Sequence, residues 1–229
     1  MGKHHDRNFP GETGDYRAAR DKLLAAEMEL RQHVEDVAQL RRELPLGGEV
    51  KEDYEFEEVR LDSDTPVKVK LSELFDHDKD SLIVYGFMYG TDWKKPCPNC
   101  TSITDGSNGI ASHVRAKTNF VTIAKAPTDK LKALVKARGW SNTRFLSSAN
   151  NSFNEDYYAQ YEGKFGEHHP MVNVFTRRDG KIHHFWASEL FFVPMEGAHP
   201  RHADLIWPLW NFLDLTPEGR EDFLPKLMY

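Results

Sequence analysis

The chain's two cysteines stand three apart, as Cys97-Pro98-Asn99-Cys100. A pair at this spacing can cycle between dithiol and disulfide, or supply two ligands to a metal. What precedes the pair favours the first use. The run Leu82-Ile83-Val84-Tyr85-Gly86-Phe87-Met88-Tyr89 is apolar and rich in β-formers, which predicts a buried strand delivering Cys97 to a sheet edge. Pro98 suits the first position of a helix, because it has no N–H to leave unsatisfied there. A helix starting at Pro98 aims its N-terminal amides at the Cys97 sulfur and favours the thiolate. Cys100 returns to the same side one turn later, within disulfide reach. Cys97 is then the nucleophile and Cys100 the resolving thiol. Asn99, between the sulfurs, is expected to tune their potential, and Lys94 and Lys95 bring positive charge close in sequence. No cofactor is expected.

Competing uses of the pair differ in what else they require. A c-type haem site needs His after the second cysteine, and position 101 is Thr. Zinc needs two further ligands; His168, His169, His199 and His202 are candidates, without finger spacing. A binding or scaffold protein would use both cysteines as core residues. A peroxidase variant needs a hydroxyl and an arginine beside a low-pKa cysteine, with Arg115 or Arg144 as candidates. Of the histidines flanking the segment at Pro170 (His168, His169, His183 and His184), His169 is the candidate proton carrier. Tyr157, Tyr158 and Tyr161 are placed to rim a cleft. Trp140, Trp186, Trp207 and Trp210 are expected in packing.

Composition narrows the setting. The 229 residues are 39% hydrophobic and 29% charged, with net charge −6. That fits one globular domain with additions and argues against a nucleic-acid surface. Two cysteines make no disulfide framework, which points to a reducing compartment. No apolar stretch nears the ~20 residues of a membrane helix, and Met1-Gly2-Lys3-His4-His5-Asp6 lacks a leader's apolar core. A cytoplasmic protein is expected, acting on protein or small-molecule disulfides or thiols, with no nucleic acid or membrane partner.

The elements that must position the pair follow from periodicity. Tyr16, Leu23, Leu30, Val37 and Leu44 recur every seven residues, with Ala19, Ala26, His33 and Leu40 three further on. This predicts a long helix whose a/d seam either lies on its own domain or pairs two copies into a dimer. Pro45 and Gly47-Gly48 end it, giving an arm over 1–48 and a domain over 49–229. In the domain, Tyr54–Leu61 suggests a strand and Leu71–Phe75 a helical turn. The helix after the dithiol is expected to be short or broken, because Gly106 and Gly109 interrupt the face shared by Ile103, Ile110 and Val114. Phe120–Ala124 reads as a second buried strand, Pro127 opens a helix ending at Gly139, and Arg144–Leu146 reads as a short strand. After a polar, aromatic stretch over 150–167, Met171–Phe175 and Ile182–Ala187 form a hairpin turning at Asp179-Gly180.

Strand, C-x-x-C helix, strand, helix and a proline-led hairpin, in that order, resemble the thioredoxin fold, an α/β architecture with a central mixed sheet flanked by helices. On that resemblance Cys97 and Cys100 match the dithiol, with Trp93 four residues upstream. Pro170 takes the place of the cis-proline that lies against the reactive sulfur. The whole chain is similar to the bacterial domain-of-unknown-function family eight-nine-nine, a thioredoxin-like group expected to be dithiol–disulfide oxidoreductases. The matching pieces include Leu44–Val50, Asp92-Trp93, the Cys97–Cys100 motif, Asn108-Gly109, Ala126-Pro127, Gly139-Trp140, Phe153–Asp156 and Leu213–Arg220. The resemblance implies a thioredoxin-like domain carrying the long N-terminal helix and a C-terminal helical extension.

Overall fold

The structure is a computed structural model describing residues 3–63, 65–163, 166–194 and 199–229. Met1 and Gly2 of the N-terminal stretch, and Lys164 and Phe165 of the polar stretch, lie outside the described residues. The chain divides into two compact units, Met1–Pro45 and Leu46–Tyr229.

The first unit is built on one helix, α1 (Gly14–Arg42). Thr13 caps it, its hydroxyl accepting from the Tyr16 amide at 3.2 Å. Arg17 is buried between Glu12 and Asp21, which hold its guanidinium at 3.4 and 3.2 Å. Arg41 and Arg42 sit in the last turn, where cations complement the helix dipole. The heptad residues Tyr16, Leu23, Leu30, Val37 and Leu44 are 41% to 64% exposed.

The second unit is organised by a seven-stranded sheet. Its strands are β1 (Glu55–Glu58), β2 (Val67–Lys70), β3 (Ser81–Gly86), β4 (Asn119–Ala124), β5 (Phe145–Ser147), β8 (Val172–Arg178) and β9 (Lys181–Ala187), in the order β2-β1-β5-β4-β3-β8-β9. The pairs β3–β4 and β4–β5 are parallel, while β8 runs antiparallel to β3 and β9 to β8. Helix α2 (Pro98–Lys117) crosses from β3 to β4, and α3 (Thr128–Arg138) from β4 to β5. Both crossovers step the same way along the sheet, so a common right-handedness places both helices on one face. A parallel βαβ unit joined to an antiparallel hairpin makes the fold thioredoxin-like, a mixed α/β sheet flanked by helices. A short helix α4 (Phe153–Asp156) and a separate hairpin, β6 (Gln160–Gly163) with β7 (Gly166–His168), fill the polar stretch.

Period-two alternation divides the strands between two cores. Leu82, Val84, Val121 and Ile123 point to one face, against Tyr54, Phe56, Leu71, Leu74, Phe153 and Phe175. Tyr85, Phe87, Phe120 and Ala124 point to the other, against Cys100, Ile103, Leu131, Trp140 and Trp210. A one-residue slip would exchange the faces, so this pattern sets the register. Asp179 and Gly180 adopt φ of 52° and 77°, as the tight hairpin turn expected at this dipeptide requires.

One expectation about the elements changes. Helix α2 is neither short nor broken; it runs 20 residues. Its inward stripe is Cys100, Thr101, Ile103, Thr104, Ser107 and Ala111, while Ile110 is exposed. The hydroxyls of Thr101, Thr104 and Ser107 donate back to the carbonyls of Cys97, Cys100 and Ile103 at 2.9, 2.9 and 3.0 Å. They enter the core already satisfied, so polar letters occupy a buried stripe. Gly106 and Gly109 fall on the exposed side. Strand β2 is the alternating run Val67-Lys68-Val69-Lys70, only four residues long, with Val69 alone buried. Its register against β1 comes from pairings such as Glu55 with Lys70 and Glu57 with Lys68. Beyond β9 the described residues of the extension form 3-10 turns at Glu189–Phe192 and Arg201–Ala203 and a short helix, α5 (Leu209–Leu213).

Candidate active site

Strand β3 ends at Gly86, and the chain passes through Phe87, Met88 and Tyr89 before turning back to α2. The Cys97 amide donates to the Met88 carbonyl at 3.1 Å, tying the dithiol to the end of the strand. Cys97 is the N-cap of α2, and its sulfur accepts from the Cys100 amide at 3.5 Å. Pro98 occupies the first helical position with its φ preset. Cys97 is partly exposed and Cys100 fully buried; both are free thiols.

Their surroundings separate the two thiols. Cys97 is held down at about 7, first by the Cys100 side chain and further by the amides of Cys100 and Asn99, against the opposing effect of its own burial. Burial pushes Cys100 well up, and the neighbouring Cys97 adds to the rise. The Tyr85 hydroxyl, buried in β3 and otherwise without a partner, faces the Cys100 sulfur and favours its thiolate. Tyr85 escapes a reading by sequence because it sits in an apolar run as one more aromatic. The available signal is that a phenol in a strand buried on both faces still needs a polar partner.

Lys94 and Lys95 are exposed, and neither is among the groups that lower Cys97, which are local to the helix N-terminus. Trp93 is half-buried and meets the His168 ring edge-on at 5.1 Å. Lys130 donates to the carbonyls of Thr91 and Trp93 at 2.6 and 3.1 Å, fixing this loop against α3. Gly90 is required where it stands, since a Cβ there would lie 2.5 Å from His168 Nε2 and 2.9 Å from Trp93 Cδ1.

Cys97 opens onto a cavity of about 850 Å³, lined also by Cys100, Asn99, His168, His169 and Pro170. The structure therefore brings together Cys97, Cys100, Asn99, His169 and Pro170, and leaves Lys95 outside. The resemblance to thioredoxin puts a cis-proline at Pro170, but no peptide among the described residues is cis. His169 Nε2 lies 3.1 Å from the Tyr161 carbonyl. A carbonyl can only accept, so Nε2 carries the proton and Nδ1, buried without a protein partner, is the basic nitrogen. Burial lowers the pKa of both His168 and His169.

Other candidates are engaged elsewhere. His183 Nδ1 meets the Gly47 carbonyl at 3.1 Å, and His184 Nε2 meets Asn173 Oδ1 at 2.9 Å. Tyr161 reaches the cavity, Tyr158 packs on Phe192, and Tyr157 belongs to the opposite core. Trp140 stacks on Phe145, and its indole N–H donates to Asp105 at 2.9 Å.

A model of a family described as bacterial proteins of unknown function, DUF899, matches residues 7–227. The chain belongs to this family. No curated protein matches the sequence. Several solved structures are similar to this DUF899 chain at low identity. AhpC from Enterococcus faecalis is 12% identical, with 79% of this chain and 98% of that one covered and a TM-score of 0.49. Peroxidoxin BcpB from Mycobacterium tuberculosis is 15% identical, over 72% and 94%, with a TM-score of 0.47. The exposed lipoprotein thioredoxin Etrx1 from Streptococcus pneumoniae strain TIGR4 is 15% identical, over 66% and 96%, with a TM-score of 0.41.

The arginines suggested for a peroxidase variant do not meet the dithiol in this DUF899 chain. Arg144 grips Glu58 through two bonds of 2.7 and 2.9 Å, and Arg115 is exposed near the far end of α2. The same Arg144–Glu58 pair satisfies the Glu58 carboxylate at the end of β1. Among the described residues, no three His, Cys, Asp or Glu side chains converge as a metal site. No described helix is long and apolar enough to cross a membrane.

Proposed function

We propose that this DUF899 chain is a dithiol–disulfide oxidoreductase, with Cys97 the nucleophile and Cys100 the resolving thiol. The observation that carries the reading is the divergence of the two thiols. Cys97, capping α2 at the cavity wall, is thiolate-prone near neutrality, whereas Cys100 stays protonated in the core until it is needed. The Cys97 thiolate attacks one sulfur of a substrate disulfide. A Cys97–substrate bond forms, and the second substrate sulfur leaves as a thiolate that takes up a proton. Cys100 then gives up its proton, which ends on the departing substrate sulfur, with the Tyr85 hydroxyl favouring the Cys100 thiolate. Its sulfur attacks Cys97, the substrate leaves as a thiol, and a Cys97–Cys100 disulfide remains. Two electrons pass from the dithiol to the substrate, and an external dithiol reductant restores the chain.

Pro98 and Asn99 hold the turn between the sulfurs, Pro170 and His169 shape the wall facing them, and Trp93 anchors the loop behind. Lys95 adds at most a screened surface charge. A second copy of the chain is the proposed partner of the α1 seam, since an a/d heptad repeat is self-complementary.

The test is reduction of a model disulfide by the wild-type chain, Cys97→Ser and Cys100→Ala. Cys97→Ser is expected to abolish turnover, and Cys100→Ala to trap a mixed disulfide at Cys97 visible by mass. Unchanged turnover in Cys97→Ser would sink the mechanism.

A further inference from the structure

The wall of the Cys97 cavity holds features that thiol exchange itself does not use. At about 850 Å³ the cavity is in the range of small-molecule pockets. Met88, Ile103, Phe191, Phe192, Trp207 and Leu224 supply apolar surface, and no Asp, Glu, Lys or Arg among the described residues lines it. His202 enters this wall from the turn Arg201–Ala203 and is only 8% exposed. Neither of its ring nitrogens has a hydrogen-bond partner among the described residues. Its ring meets Phe191 edge-on at 4.6 Å.

A buried polar atom without a partner is destabilising, because its hydration is lost with nothing gained in return. Here a donor and an acceptor are orphaned together at the edge of an apolar cavity. Burial lowers the pKa of His202 to about 4, so near neutrality the ring offers one N–H and one lone pair and no charge. The chemistry complementary to such a wall is aromatic, uncharged, and equipped with one group that can both donate and accept. A disulfide carrying carboxylates, as in glutathione disulfide, would bury them with no cation among the described lining residues to meet. An extended peptide would bring backbone amides against a wall with few polar partners.

We propose that this cavity is the substrate pocket of the dithiol, and that it takes small, neutral, aromatic disulfides whose hydroxyl or amide group pairs with His202. The proposal rests on the exchange reading for its chemistry and adds the class of substrate. The disulfide enters with its rings between Phe191, Phe192 and Trp207, its polar group on His202 and its sulfurs at Cys97. The reaction is the exchange written above, with the two aryl thiols as products.

Binding separated from chemistry provides the test, by titration calorimetry on the full-length Cys97→Ser chain. Bis(4-hydroxyphenyl) disulfide is expected to bind once per chain. Diphenyl disulfide, lacking the hydroxyls, is expected to bind roughly tenfold more weakly, and glutathione disulfide not to saturate at all. A second replacement, His202→Phe, is expected to erase the difference between the aryl probes. The aryl comparison on the chain with His202 intact stands even if that variant fails to fold. Equal binding of the two aryl disulfides, or saturable binding of glutathione disulfide, would overturn the proposal. If the wild-type chain reduces no disulfide but the aryl preference is found, the exchange reading falls and the pocket's ligand class stands. If the wild-type chain reduces glutathione disulfide or insulin and no aryl disulfide binds, exchange stands and this proposal falls.

Discussion

Cys97 and Cys100 are the same chemical group placed three residues apart, and their environments drive them in opposite directions. Cys97 sits where helix amides converge, and the Cys100 side chain is the largest influence lowering it to about 7. The sign for reactivity follows: as pH rises through about 7 the thiolate fraction and the alkylation rate rise together, and below it both fall about tenfold per unit. Cys100 is fully buried, so iodoacetamide should report Cys97 alone. Cys100→Ala removes the leading cause, and the midpoint is expected to move up towards that of an ordinary thiol. A midpoint that stays at about 7 in this variant would assign the depression to the helix amides instead.

At the scale of elements, α2 shows what a stripe read from hydrophobic letters misses. Its buried face uses Thr101, Thr104 and Ser107, whose hydroxyls bond within the helix, so the helix continues where apolar periodicity fades. Gly106 and Gly109 face open space, with nothing within 4 Å of a built Cβ. Gly106→Ala and Gly109→Ala are each expected to stabilise the reduced protein by about 0.5–1 kcal/mol. That is a rise of roughly 1–4 °C in Tm per substitution for a chain of this size. Thermal unfolding measures it, and a lowered Tm would show that the helix needs a break there. Strands β3 and β4 were legible because they are continuous apolar runs, whereas β2 and the β6–β7 hairpin were not. The alternation of β2 is only four residues long, and little of β6 and β7 is buried, so their pairing leaves no apolar pattern along the chain.

For the whole molecule, burial makes several histidines poor bases in the folded state. His202 is lowered to about 4, and His168, His169 and His184 are lowered as well. The unfolded chain then binds more protons than the folded one between about pH 6.5 and 4, so stability rises with pH across that window and is lost as pH falls through it. His202 alone accounts for on the order of 2 kcal/mol between pH 7 and 4.5. Denaturant midpoints over this range should show the loss, and His202→Phe should flatten it. The exposed seam of α1 makes a second claim at this scale. Native mass is expected at twice 26.4 kDa, and Leu23→Lys with Leu30→Lys should return it to the monomer. A monomeric wild-type chain would assign the seam some other role.

The amino-acid order alone determined the dithiol, the strand that delivers it, the proline that starts its helix and the order of elements that makes the fold thioredoxin-like. Each of these is a local matter, set by spacing, by φ restriction and by hydrophobic runs over a few residues. The tertiary structure decided what surrounds the sulfurs. Tyr85 beside Cys100, and His169, Pro170 and His202 in the same cavity wall as Cys97, come from segments up to about a hundred residues away. Their meeting is fixed by strand order and core packing, which are collective properties that no single stretch of sequence records.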